Sequence, residues 1–135
     1  MHSHKTETIL VVDDSEAVCE VIEILLSRAG YRVLTAMNGN DALQIAQETP
    51  EIDLLISDIE MPGMRGDELA AHFSRLNPAV PIVFVARAER AHGANGAQKR
   101  ASFLPKPFTV AELRDTVSHA LRSRGSMADD ASCAA

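Results

Sequence analysis

Two short apolar runs that stop on aspartate constrain this chain more than any other feature. Ile9–Val12 ("ILVV") runs into Asp13 and Asp14, and Asp53–Ser57 ("DLLIS") runs into Asp58. Neither run alternates polar with apolar residues. A continuous apolar stretch of this length reads as a strand covered on both faces, as in a parallel sheet. Two further runs fit the same reading: Arg32–Ala36, and Ile82–Ala86 after Pro81, with Ser102–Leu104 as a short fifth strand.

Helical spacing fills the gaps between these runs. Ser15 is placed to cap a helix in which Ala17, Val18, Val21, Ile22, Leu25, Leu26 and Ala29 recur at helical intervals until Gly30 stops it. Asn38-Gly39-Asn40 leads into a helix with Ala42, Leu43, Ile45 and Ala46, ended by Pro50. A third helix is expected near Asp67–Leu76, with Leu69, Ala70 and Phe73 inward. Thr109 and Glu112 form a capping box for a last helix whose stripe is Val110, Leu113, Val117 and Leu121. Strands alternating with helices through short connections predict one α/β domain, a doubly wound parallel sheet with helices on both faces.

Composition narrows the class. At 135 residues the chain is one domain in length, 46% apolar and 24% charged, with no tryptophan, so its core must be aliphatic. A net charge of −6 argues against direct contact with nucleic acid. No apolar run approaches the ~20 residues of a membrane span, and no signal peptide precedes the first strand. Cys19 lies in a helical pattern and Cys133 in a polar tail. That usage fits a reducing, cytoplasmic setting rather than a disulfide framework. Residues 1–6 read as a flexible start, with no metal role for His2 or His4, and residues 123–135 as a frayed, disordered tail.

In an open parallel sheet, ligands bind beyond the carboxyl ends of the strands. Asp13 and Asp14 stand there after the first strand, Asp58 after the third, and Lys106 after the fifth. Three carboxylates together repel, and a divalent cation relieves the repulsion; an all-oxygen set with waters suits Mg²⁺. A metal beside a carboxylate can organise phosphoryl transfer to it, and a lysine can pair with the phosphate. Each motif alone has a plainer reading: an acidic pair caps helices, a Lys-Pro step makes a turn, and "MPG" makes a loop.

Taken in order, "ILVVDDS", "LLISDIEMPGMRGDEL" and "FLPKPF" resemble the receiver (CheY-like) domain of two-component response regulators, over residues 7–122. The resemblance implies a flavodoxin-like five-stranded sheet in the order 2-1-3-4-5. It implies Asp58 as phosphoacceptor, Asp14 as a direct Mg²⁺ ligand (Mn²⁺ substituting), and Asp13 as a helper largely through water. It also implies the Glu60 backbone carbonyl in the metal shell, Lys106 paired with the phosphoryl group, and a cis bond before Pro107. The implied function is a phosphorylation-dependent switch that takes its phosphoryl group from a histidine kinase or phosphotransfer protein. It would act on a downstream target by protein contact, with no output domain in this chain, catalysing only its own phosphorylation and dephosphorylation. His72 and His119 read as surface residues, not phosphodonors.

The chain departs from the family in two places. Where a Thr or Ser is usual at the end of the fourth strand, the count from Pro81 reaches Ala86, and Arg87 follows; neither supplies a hydroxyl. Phe103 holds the aromatic switch position without that partner. Between strands four and five, Gly93, Asn95 and Gly96 predict a short or irregular fourth helix, each glycine costing about 1 kcal/mol relative to Ala. A compromised helix there predicts a monomer or weak dimer. These departures favour the alternative of a pseudo-receiver that signals without phosphate. An enzyme on phosphorylated metabolites, or a nucleotide binder, is disfavoured because Asp14-Ser15-Glu16 after the first strand would repel a phosphate.

Overall fold

A computed structural model describes residues 6–87 and 101–134, with 124–134 described as backbone only. In chain order the elements are β1 (Thr8–Val12), α1 (Glu16–Arg28), β2 (Arg32–Ala36), α2 (Gly39–Glu48), β3 (Leu54–Asp58), α3 (Gly66–Leu76), β4 (Ile82–Arg87), β5 (Ala101–Lys106) and a last helix, Val110–Ala134. The five strands form one sheet, β2-β1-β3-β4-β5, and every neighbouring pair is parallel. The expected strand order therefore holds. The fourth helix expected between β4 and β5 lies outside the described residues.

Strand alternation divides the core in two. Leu10, Leu55, Ile82 and Phe84 face α2 and α3, where Leu69, Ala70 and Phe73 meet them. Ile9, Val11, Leu54, Ile56, Val83 and Val85 face α1 and the last helix, where Ile22, Leu26, Leu113 and Val117 meet them. β1 and β3 are buried at every position, as the continuous apolar runs require. Asp53, buried at the opposite end of the sheet from the acid cluster, accepts the Thr8 N–H at 2.9 Å.

The helix ends follow local chemistry. Ser15 Oγ accepts from the Val18 N–H, and Asn38 Oδ1 accepts from the Asp41 N–H. α1 closes with Gly30 at φ +102°, where the Tyr31 N–H reaches the Leu26 carbonyl and the Gly30 N–H reaches that of Ser27. Such a left-handed stop favours glycine. The Thr109–Glu112 capping box is formed in both directions.

Several boundaries differ from expectation: β1 begins at Thr8 and β4 runs on to Arg87. β3 includes Asp58, so the candidate acceptor is held by the ladder itself. β5 runs Ala101–Lys106 instead of Ser102–Leu104; among the described strands it pairs only with β4, and Pro105 is tolerated where its missing N–H has no ladder partner to serve. The backbone of residues 123–134 continues the last helix, where the sequence suggests a frayed tail. That segment holds several alanines and no proline, and its one glycine is not enough to end a helix already under way.

Candidate functional site

The path from β1 out to β2 and back to β3 on the other side of β1 opens a crevice between β1 and β3, where ligands gather in open parallel sheets. Asp13 and Asp14 follow β1, and Asp58 ends β3. One carboxylate oxygen from each of the three lies within 4.8 Å of the others. Asp13 and Asp58 are buried and Asp14 is exposed. Lys106 Nζ stands 3.5 Å from Asp13 Oδ2 and 3.7 Å from Asp58 Oδ2. The cluster that the sequence spreads over more than ninety positions is thus assembled at one sheet edge.

Its electrostatics are unbalanced. Burial pushes the Asp58 carboxyl above the usual range, and the neighbouring Asp13 and Asp14 push the same way. Lys106 and the Glu60 backbone N–H pull it down, yet the net direction is upward. Asp13 is better served: its Oδ1 accepts the Ser15 N–H at 2.9 Å while Oδ2 faces Lys106. Three hard oxygen donors with one ammonium between two of them fit a small divalent cation, which would neutralise the excess charge and keep water in its remaining positions. Asp13, Asp14 and Asp58 are the side chains that could hold it. Glu60, two residues past Asp58, is exposed, and its N–H is committed to the Asp58 carboxylate.

The switch positions fall on both faces of the sheet. Ala86 is buried in the cluster facing α3, one residue beyond Val85, the Cα partner of Asp58. Phe103 is half-buried on that face, its ring stacked on Phe84 at 5.5 Å between centroids. Arg87 takes the other face. It is paired in register with Lys106 and is exposed, and it has no ion-pair partner among the described residues. The Lys106–Pro107 bond is cis.

Sequence reasoning missed two features. An open cavity of about 630 Å³ lies between α1 and the end of β5, lined by Ala17, Val18, Val21, Ile22, Arg87, Lys106, Pro107 and Phe108. Its components are far apart in the chain, so only the fold reveals it. The other is Gly66, buried at the start of α3, whose N–H donates to the Ile59 carbonyl at 2.9 Å. A glycine that opens a helix instead of closing one was the available signal.

Comparison with known proteins agrees with this geometry. The response regulator receiver domain matches residues 9–118, and the chain belongs to that family. It is 40% identical over 116 residues to the uncharacterized transcriptional regulatory protein YrkP of Bacillus subtilis, covering 84% of this chain and 49% of YrkP. It is 36% identical over 120 residues to the sensor kinase CckA of Brucella abortus, covering 87% of this chain and 13% of CckA. The chain therefore spans half or less of these relatives. A crystal structure of a response regulator receiver protein from Sinorhizobium medicae superposes with a TM-score of 0.80 at 30% identity, covering 90% of this chain and 99% of that one. No described helix is long and apolar enough to cross a membrane.

Proposed function

We propose that Asp58 accepts a phosphoryl group from the histidine of a kinase or phosphotransfer protein, and that the phosphorylated domain signals through contact with a downstream protein. The observation that carries this is the convergence of Asp13, Asp14, Asp58 and Lys106 around one buried carboxylate. Asp13, Asp14, Asp58 and the Glu60 carbonyl would hold Mg²⁺, which when bound neutralises charge on the phosphoryl oxygens. An Asp58 oxygen attacks phosphorus, the new O–P bond forms as the donor's N–P bond breaks, and the electron pair leaves on the imidazole nitrogen. Lys106, already 3.7 Å from Asp58 Oδ2, pairs with the phosphoryl group as a point charge. Water later cleaves the acyl phosphate, so the domain catalyses only its own phosphorylation and dephosphorylation.

The test uses the purified chain, a small acyl phosphate donor and Mg²⁺. Acid-labile phosphate is expected with the metal and none after chelation. No uptake at millimolar donor and metal would favour a phosphate-independent interaction module, the reading that Ala86 supports.

Arg87 adds a cation beside Lys106, in register with it and lining the same cavity. Its guanidinium can reach a phosphoryl oxygen in place of the missing hydroxyl. Arg87→Ala is expected to shorten the acyl-phosphate lifetime about threefold to tenfold, the range for a charge-assisted contact discounted for exposure. A lifetime equal to that of the native chain would leave Arg87 as a solvated side chain.

A further inference from the structure

We infer that Gly66 is a positioning residue for the acid cluster: its lack of a side chain lets α3 begin directly against the backbone of Asp58 and Ile59. A Cβ built on Gly66 would collide with the Asp58 carbonyl oxygen. It would also stand 2.8 Å from Ile59 Cα and 2.9 Å from the Asp58 carbonyl carbon. All three atoms are backbone, so no rotamer change relieves the contact. The requirement is for space and not for conformation, because among the described residues only Gly30 and Gly63 have positive φ.

The other glycines nearby show the contrast. A Cβ on Gly39 would meet the Met64 side chain, which can swing away, and one on Gly63 would meet nothing within 4 Å. Gly63 is constrained instead by its φ of +77°. Gly63 in the β3–α3 loop and Gly66 at the start of α3 therefore serve different ends.

A side chain at Gly66 must move either α3 or the end of β3. α3 is anchored by Leu69, Ala70 and Phe73, all fully buried. The strand end is held by the β3–β4 ladder, where the Ile59 N–H donates to the Val85 carbonyl at 3.2 Å, by the Ser57 hydroxyl on the Asp58 carbonyl at 3.0 Å, and by the Gly66 N–H on the Ile59 carbonyl. Because the collision falls on the Asp58–Ile59 peptide itself, that peptide must tilt or shift away from α3, carrying the Asp58 carboxylate and the Glu60 peptide out of register with Asp13, Asp14 and Lys106. The inference rests on the reading of Asp58 as the acceptor and names what holds it in place.

The test compares Gly66→Ala with Gly63→Ala, which is strained at the same loop without touching Asp58. Mn²⁺ affinity is read by relaxation enhancement of water protons, and phosphate uptake from a small acyl phosphate is read in parallel. Gly66→Ala is expected to lose about tenfold or more in Mn²⁺ affinity and in uptake rate, as loss of support behind metal ligands does, and Gly63→Ala to stay within about threefold. Retention of Mn²⁺ affinity by Gly66→Ala, or equal losses in both variants, would overturn the inference. If the native chain takes up no phosphate, the acceptor reading fails, and the manganese comparison still decides for or against Gly66. Should Gly66→Ala not fold, the native chain decides. Its Gly66 amide resonance is expected to shift on Mg²⁺ titration along with those of Asp58 and Glu60, and an unmoved Gly66 amide overturns the proposal.

Discussion

Asp58→Asn is expected to melt above the native chain in metal-free buffer, and to lose most of the stabilisation that Mg²⁺ confers. The first effect follows from the sign of the Asp58 shift. Burial and the neighbouring carboxylates hold its folded-state pKa above the ordinary value, which is near 3.9 for a free Asp. In the window above that value the folded chain binds more protons than the unfolded chain, so stability falls as pH rises through the folded pKa. Above the folded pKa the penalty is in force, and a neutral amide of the same shape removes it. The second effect has the opposite sign. Mg²⁺ at a hundred times its dissociation constant stabilises the folded state by about 2.7 kcal/mol. At roughly 3–5 °C per kcal/mol for a chain of this size, that raises the melting temperature by on the order of 10 °C. Replacing one of three charged ligands should cut the rise to half or less. Thermal scans of both proteins with and without Mg²⁺, between pH 4 and pH 8, check both effects. A mutant that melts below the native chain without metal would contradict the assigned repulsion.

The fold was legible in the sequence because its strands are covered on both faces. β1 and β4 carry no internal polar position to blur them and β3 carries only Ser57, and the caps at Ser15, Asn38 and Thr109 are formed by the side chains that mark them in the sequence. Legibility fell where single-residue chemistry stops deciding. β5 is longer than its apolar run because pairing with β4 carries it through Pro105 to Lys106. The continuation of the last helix to Ala134 has no apolar stripe in the sequence to announce it, so composition suggested a tail.

The site divides in the same way. Asp13, Asp14, Asp58 and Lys106 could be placed together once each strand end was found, since a parallel sheet brings all carboxyl ends to one edge. What could not be read was packing through space. The collision that reserves Gly66 depends on how closely α3 approaches the Asp58 carbonyl. The cavity beside Lys106 depends on α1 standing opposite Arg87. Neither leaves a periodic trace in the chain.

Ala86→Thr is expected to destabilise the unphosphorylated domain while tightening its binding of beryllofluoride, a mimic of the phosphoryl group. Ala86 is 4% exposed and packs in the apolar cluster with Phe84. A hydroxyl placed there without a partner costs about 1–3 kcal/mol, although the branched side chain suits a strand. With beryllofluoride on Asp58, the hydroxyl gains an anionic acceptor one residue beyond the Asp58–Val85 pair. A charge-assisted hydrogen bond of about 1.5–3 kcal/mol then corresponds to tighter binding by roughly tenfold to a hundredfold. The consequence for signalling is larger than for affinity. Phosphate shifts a two-state equilibrium only through contacts that differ between the states, and in the native chain position 86 offers only a methyl. Phe103, stacked on Phe84 beside that methyl, reports the difference. Its ring resonances are expected to move with beryllofluoride in Ala86→Thr and to stay in place in the native chain. Movement of equal size in the native chain would mean that the signal reaches Phe103 without a hydroxyl. The Arg87 face of the sheet would then be the route to test next.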